Sequence, residues 1–366
     1  MTFEKKIQES CHPQSDDGLN SDLVWNNLDR LTVPVSLGGA GITTQDVANL
    51  IESGYATVES IAFTPIKKLM DEVSGIGEMK AKNLKEASRK IVPMGFECAT
   101  VFLNTRKQMV RLTTGCNALD ALLHGGIESG GITEIFGEFR TGKSQLCHTL
   151  CVTCQLPIGS GGAGGRALYI DTEGTFRPER IVEISERYGM SANDALTNVV
   201  FARAYNSEHQ NRLLSEAPKI LTQSDARFGL IVIDSATALF RTDYQGRGEL
   251  ADRQQHLGRF LRAIQRLADE FGVAVVITNQ VMASVDVGPS ASYGHPSSLV
   301  KPIGGHIMAH ATQTRLFLKK GGGDKRICKV YDSPVLPEGE APYSIASGGI
   351  VDYIEPENSS KRRKTA

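Results

Sequence analysis

The chain is short of net charge, of long apolar runs and of pairable cysteines, and each shortage removes a class of function. Lys and Arg number 40 against 41 Asp and Glu, a net charge of −1. No global field therefore draws the protein to a polyanion, and any contact with nucleic acid has to come from local basic loops. No apolar stretch approaches the roughly 20 residues that cross a bilayer, and residues 1–30 are polar, so neither a secretory nor a membrane segment is expected. The 7 cysteines, an odd number scattered along 366 residues, read as reduced thiols of a cytosolic or nuclear protein rather than as a disulfide framework. What is present is ordinary for a soluble chain: 40% hydrophobic residues, enough for a substantial core, and 22% charged ones. The length suits one larger domain and one small one.

Residues 1–29 carry no apolar periodicity and read as a disordered leader. Residues 30–93 read as a small all-helical domain. Val47, Leu50 and Ile51 share a face, as do Ile61, Leu69 and Met70. The run Val73–Gly77 leads into a helix from Glu78 to Ile91, ended by Pro93. Residues 94–108 form a connector. From 109 to 354 strands (Ile132–Phe136, Ala167–Ile170, Leu230–Ile233, Val273–Thr278) alternate with helices (Ser144–Leu156, Pro178–Tyr188, Arg253–Phe271). That alternation predicts a mostly parallel sheet covered on both faces. Thr314–Lys320 and Arg326–Tyr331 read as antiparallel strands around the turn GGGD. Residues 355–366 are a polar basic tail. Gly159–Gly165 is expected to be a flexible loop, Arg241–Glu249 a short charged one, and Met282–Gly304 a long functional or disordered one.

The strongest chemical signal is GEFRTGKS, Gly137–Ser144, after the strand ITEIF and opening a helix. In that context the pattern is a phosphate loop. Its glycines let backbone N–H groups wrap phosphates, the helix start adds positive potential, Lys143 reaches the terminal phosphates and Ser144 offers a hydroxyl to Mg²⁺. LIVID, Leu230–Asp234, supplies a carboxylate for the metal shell. DTEG, Asp171–Gly174, ends the strand ALYI and makes Glu173 a candidate to activate the attacking water; an ordinary acidic turn is the plainer reading. Gln280, at the end of VAVVITNQ, is placed to sense the γ-phosphate and signal to the loop beyond it. Cys147, Cys151 and Cys154 lie in the helix after the phosphate loop and read as buried core thiols, not metal ligands. Cys11 and His12 receive the same plain reading. Val73–Gly77 resembles a helix–hairpin–helix turn whose amides meet a DNA phosphate, with Lys80, Lys82 and Lys85 near it; a plain helical turn with a solvated basic face reads equally well. Lys361–Lys364 reads as a nuclear import signal in preference to a nucleic-acid patch or a merely soluble tail.

Taken together, FGEFRTGKSQLCHTL, YIDTEGTFRPER, DSATALFRTDYQGRGEL, DEFGVAVVITNQV, KPIGGHIMAHA and RICKVYDSPVLPE resemble the RecA/RadA strand-exchange recombinases, and among them the general, mitotic eukaryotic Rad-type member. The resemblance implies an α/β fold: a RecA-like P-loop ATPase core with a mostly parallel central sheet, after a helical domain with a helix–hairpin–helix element. It implies ATP and Mg²⁺ as cofactors, with ATP held by Gly137, Glu138, Phe139, Arg140, Thr141, Gly142, Lys143, Ser144 and Gln145, and Mg²⁺ by Ser144 and Asp234. Glu173, Lys143 and Gln280 would be catalytic. Arg180 would stack on adenine, and Asp332 and Pro337 would cap the nucleotide of the adjacent protomer. Phe96 and Ala99 match an FxxA self-association motif that inserts into a neighbouring core. Arg241, Arg247, Val285, Gly304 and Gly305 would serve DNA, and His310 would relay nucleotide state to it. Two departures stand out: Ser144 replaces the usual Thr, keeping the hydroxyl, and the loop after Val281 is longer than usual, with Tyr293 and His295. Ala217–Phe228 carries a short apparent insertion.

The implied activity is an ATP-dependent recombinase that forms helical filaments on single-stranded DNA. It pairs that strand with homologous double-stranded DNA in double-strand-break repair in the nucleus, with mediator proteins using the Phe96/Ala99 pocket. Base pairing would read the sequence, while the protein supplies salt-sensitive phosphate contacts. The rivals are a scaffold paralogue that does not exchange strands and a ring helicase. Glu173, Phe96, Ala99, Arg241 and Arg247 argue against the first, and the connector motif with the helical domain against the second.

Overall fold

The apolar residues of each central strand point alternately to two helical layers, so the sheet is buried on both faces and its strands read as continuous apolar runs. A computed structural model describes residues 41–223, 226–244, 246–283 and 300–355. The leader, Val285, Tyr293, His295 and Lys361–Lys364 lie outside the described residues.

The helices are α1 (Thr44–Glu52), α2 (Val58–Phe63), α3 (Ile66–Glu72), α4 (Glu78–Ile91), α5 (Ala99–Lys107), α6 (Asn117–Leu122), α7 (Lys143–Thr153), α8 (Pro178–Arg187), α9 (Ala192–Thr197), α10 (Ser207–Gln223), α11 (Ala238–Asp243), α12 (Leu250–Phe271) and α13 (Gly305–Ala311). The strands are β1 (Arg111–Leu112), β2 (Ile127–Glu128), β3 (Ile132–Gly137), β4 (Arg166–Asp171), β5 (Val199–Arg203), β6 (Phe228–Asp234), β7 (Ala274–Asn279), β8 (Val281–Ala283), β9 (Val300–Pro302), β10 (Thr314–Lys320), β11 (Arg326–Asp332), β12 (Glu340–Ala346) and β13 (Gly349–Asp352). The 9-stranded sheet runs β13-β12-β11-β10-β3-β7-β6-β4-β5. It is parallel from β10 to β5 and antiparallel from β10 to β13.

Parity sorts the core. Ile135, Tyr169, Val232 and Val276 face α7, α8 and α9. Ile170, Ile233, Val275 and Ile277 face α10, α12 and α13. On α12 the buried set Leu257, Phe260, Leu261, Ile264, Leu267, Ala268 and Phe271 keeps one helical face on the sheet. Leu146 to Thr153 of α7 are all buried, and within that stretch Cys147, Cys151 and the following Cys154 are free thiols, as read. Burial pushes all three thiols well above their ordinary pKa, which keeps them protonated and inert.

Three expectations change. The connector is not plain chain: Ala99–Lys107 is a helix with no buried residue. The glycine stretch Gly159–Gly165, expected to be flexible, is a bonded turn: Thr113 N donates to Gly161 O (2.7 Å) and Ala163 N to Cys154 O (2.9 Å). A Cβ on Gly162 would lie 2.0 Å from Leu156 O, so the glycine permits close backbone approach. Lys85 does not serve a DNA phosphate. It is buried and donates to the Ile61 and Ala62 carbonyls near the end of α2, because that helix end leaves acceptors that a cation satisfies. Lys80 is committed too: its ammonium grips Asp46 at 2.7 and 2.9 Å and, with Thr43, holds that carboxyl down to about 2. Lys82 pairs with Glu78 at 2.7 Å on the exposed face.

The helical segment docks on α12. Thr57, the N-cap of α2, donates to Glu270; Arg266 donates to Ser60 O at 3.1 Å and lies over the Tyr55 ring. Burial, with Glu59 adding repulsion, raises Glu270 to about 7 against the opposing Thr57 hydrogen bond and Arg266 charge. Its protonated form therefore favours the folded, docked state. That contribution is complete below about pH 4.5 and is lost progressively as pH rises from there to about 7, by as much as about 3 kcal/mol in all. The melting temperature of wild type is expected to fall relative to that of Glu270→Gln between pH 4.5 and pH 7.5; equal changes in scanning calorimetry would refute the assignment.

Candidate nucleotide and DNA site

The carboxyl ends of β3, β4, β6 and β7 converge where α7 begins, the place a parallel sheet offers a ligand. β3 passes β10 so closely that a Cβ on Gly137 would lie 2.2 Å from Leu318 O. The loop then turns through Arg140, left-handed at φ 63°, a conformation uncommon for a residue with a side chain and concentrated in ligand loops. Thr141 Oγ1 donates to Glu138 O at 2.8 Å, and Tyr343 OH donates to Thr141 O at 2.7 Å, fastening the loop from within and from β12. Glu138, Phe139 and Arg140 are exposed. Gly142 caps α7, whose first turn carries Lys143, Ser144 and Gln145. Its unpaired amides favour an anion.

Lys143 Nζ donates to the Gly137 and Glu138 carbonyls at 2.9 and 3.0 Å. Burial lowers its pKa, while Asp234 and Glu173 act to hold the charge. Ser144 Oγ donates to Asp234 Oδ2 at 2.6 Å. Asp234 is itself buried and accepts from Tyr169 OH (2.9 Å), Thr175 Oγ1 (3.2 Å) and Thr278 Oγ1. Hydroxyl and carboxylate lie side by side, a pair of hard oxygen donors that suits Mg²⁺.

Asp171 is a buried organiser. Its carboxylate accepts from the backbone N–H groups of Glu173, Gly174, Thr175 and Phe176 and pairs with Arg203 at 3.2 Å. The turn so formed presents Glu173 to solvent, where Gln280 Nε2 donates to its Oε1 at 2.8 Å. His148 ties this turn to α7: its Nδ1 donates to Ser144 O at 2.6 Å and its Nε2 accepts from Arg177 N at 3.1 Å. Burial lowers its pKa, consistent with the neutral ring these two bonds require.

Arg180 is held by four partners. It donates to Gln145 Oε1 (3.0 Å), Ala346 O (2.9 Å) and Ser347 O (3.1 Å) and pairs with Glu183. Asp332 stands apart from the loop. It pairs with Arg315 of β10, and Arg315 is level with Glu134, three residues before Gly137. Pro337 follows β11 and is exposed like Asp332. Asp332 thus lies level with the middle of β3, short of the phosphate loop at its end.

Arg241 is exposed on α11, and Arg247 lies in the short turn Arg247–Glu249. β8 and β9 pair antiparallel, Val281 with Pro302 and Ala283 with Val300, closing the root of the long loop. Gly304 and Gly305 start α13, which carries His310 exposed, its ring stacked on His306 at 6.2 Å. Phe96 is 90% exposed and Ala99 begins α5.

The residues missed from the sequence are those that orient the recognised ones: Tyr169, Asp171 in its organising part, His148, Thr175 and Thr278. Tyr169, Asp171 and Thr278 fall on the α7 face of their strands by parity, a signal the sequence carries but a search for motifs passes over.

A family model described as Rad51 matches residues 105–353. The chain is 56% identical over 316 residues to maize "DNA repair protein RAD51 homolog B", covering 86% of this chain and 91% of the relative. It is 56% identical over 319 residues to fission yeast (Schizosaccharomyces pombe) "DNA repair protein rhp51", covering 87% and 85%. It is 54% identical over 324 residues to Mycosarcoma maydis "DNA repair protein RAD51", covering 88% and 94%. With the phosphate loop and the mostly parallel core already in place, the match settles the family: the chain belongs to the eukaryotic Rad51 recombinases, DNA-dependent ATPases of homologous-recombination repair.

Proposed function

We propose that this recombinase binds ATP and Mg²⁺ at the head of α7, polymerises on single-stranded DNA and exchanges it with a homologous duplex in the nucleus. The observation that carries the reading is the convergence of Lys143, Ser144 and Asp234 beside the Glu173–Gln280 contact. The residues fit the cofactor. Loop amides and Lys143 would hold the phosphates, Ser144 and Asp234 the metal, and the flat Arg180 guanidinium the adenine. The bound metal would neutralise charge on the phosphates. Glu173 would take a proton from the attacking water, and Gln280, released from Glu173, would donate to the terminal phosphate group.

Asp332 and Pro337 cap the nucleotide of the next protomer. Phe96 and Ala99 seat on that protomer's sheet edge. Residues 30–93 form the DNA-binding helical domain, 94–108 the connector and 109–354 the ATPase core, with 1–29 and 355–366 as leader and tail. Arg241, Arg247, Gly304 and Gly305 serve DNA, Val285 wedges between bases, and His310 relays nucleotide state. Mediator proteins use the same edge as Phe96. The tail Lys361–Lys364 directs import.

ATP-dependent strand exchange between short homologous oligonucleotides tests the reading. Wild type should exchange strands and Lys143→Ala should not. Hydrolysis without exchange across salt and magnesium would move the protein to a scaffold role. Arg247→Ala should weaken single-strand binding for every sequence and reduce the slope of log K against log salt by about 1; an unchanged slope would remove Arg247 from the phosphate contacts.

A further inference from the structure

The run Thr278-Asn279-Gln280 makes three different connections in three consecutive residues. Thr278 donates to Asp234 and Gln280 to Glu173, both on the α7 face. Strand parity turns Asn279 to the opposite face, where it is 0% exposed. Its amide is used on both ends. Nδ2 donates to Glu134 Oε1 at 2.6 Å and to Ile303 O at 2.6 Å, and Oδ1 accepts from Thr237 Oγ1 at 2.7 Å. Glu134 is completed by Arg315 Nε, 2.6 Å from its other oxygen. The neighbours fix the amide's orientation, since the reverse would aim its carbonyl at the Glu134 carboxylate.

The partners are the roots of two loops. Thr237 immediately precedes α11, which carries Arg241. Ile303 immediately precedes Gly304 and α13, where the β8–β9 ribbon ends, and Ile303 N donates to Gln280 O at 3.1 Å. One buried side chain thus holds the residue before α11 and the residue at the end of the long loop, and its backbone is continuous with the residues that touch the two acidic groups of the nucleotide site. A buried amide satisfied in one arrangement resists partial displacement, because each bond lost leaves a polar atom unpaired away from water. The strand end and both loop roots therefore shift as a unit.

We propose that Asn279 is a positioning residue that couples the nucleotide site to both DNA loops, with Thr237 as its link to the first of them. The proposal rests on the assignment above of those loops to DNA and of Gln280 to the nucleotide. Asn279 touches neither ligand, so its removal should separate DNA stimulation from hydrolysis itself.

The test is ATP hydrolysis by the full chain with and without single-stranded DNA, alongside ATP affinity. Thr237→Val keeps the buried volume and removes the hydroxyl; Thr237→Ser keeps the hydroxyl; Asn279→Ala removes the hub. Thr237→Val and Asn279→Ala are expected to lose about tenfold in DNA-stimulated turnover, within the 5- to 150-fold span of ordinary site coupling. DNA-free hydrolysis and ATP affinity should stay within about twofold of wild type, and Thr237→Ser should restore stimulation. If Asn279→Ala does not fold, the two Thr237 variants decide. Wild-type stimulation in Thr237→Val, or a joint loss of basal hydrolysis, ATP affinity and stimulation, overturns the proposal. A wild type whose hydrolysis ignores DNA overturns the functional reading beneath it, and the coupling with it.

Discussion

Glu173→Gln is expected to bind ATP as wild type does and to hydrolyse it about 10²–10⁴ times more slowly, the span that a positioned general base contributes. Glu173 accepts a hydrogen bond from Gln280 and lies beside, not within, the Lys143, Ser144 and Asp234 cluster. Replacing its carboxylate with an amide removes the proton acceptor and leaves the phosphate and metal ligands in place. Steady-state hydrolysis and equilibrium nucleotide binding, measured together, separate the two effects. Filaments on single-stranded DNA should outlast those of wild type, since hydrolysis resets them. Hydrolysis within tenfold of wild type would show that the water is activated by another group; a parallel loss of ATP affinity would place Glu173 among the binding residues instead.

Phe96→Glu is expected to abolish filaments and strand exchange while sparing ATP binding. Phe96 is 90% exposed, and β5 ends the sheet, its outer edge paired by no strand among the described residues. Beside that edge Phe201 is 45% exposed and stacks on Phe176 at 4.6 Å. An open edge next to an aromatic surface accepts an added strand with an aromatic anchor. Losing such an anchor costs about 2–4 kcal/mol per contact, roughly 30- to 1,000-fold in affinity, and a buried carboxylate adds to it. A filament needs every contact, so the loss multiplies along its length. Sedimentation with ATP and single-stranded DNA should show protomers only. Filaments of wild-type length would move the polymerisation contact elsewhere.

Much of this protein was legible in its residues. The strands at Ile132, Ala167, Leu230 and Val273 were readable because they are buried on both faces, so most positions are apolar and the runs stand out. The loop Gly137–Ser144 was readable because phosphate binding dictates small residues, a cation and a hydroxyl at fixed spacing. β5, β12 and β13 were not, since β5 is an edge with no fully buried residue and the last two alternate or are short. The helix Ala99–Lys107 was passed over because it buries no residue and so shows no apolar stripe. Lys85 was misplaced because a lysine's destination depends on which helix end lies opposite it, and Ile61 is 24 residues away in sequence.

By itself, then, the sequence determined the parallel core, the GxxxxGKS loop, the carboxylate that ends LIVID and the family, because local spacing and side-chain type are sufficient for those. Only the tertiary structure decided which polar residues hold one another: Tyr169 and Thr278 on Asp234, Asp171 on the turn of Glu173, and Asn279 between Glu134, Thr237 and Ile303. Apart from the local turn around Asp171, these pairs join residues far apart in the chain, most of them on strands that are neighbours in the sheet. The physical reason is that buried polar groups must be satisfied by whatever lies beside them, and strand order, not sequence distance, sets what lies beside them.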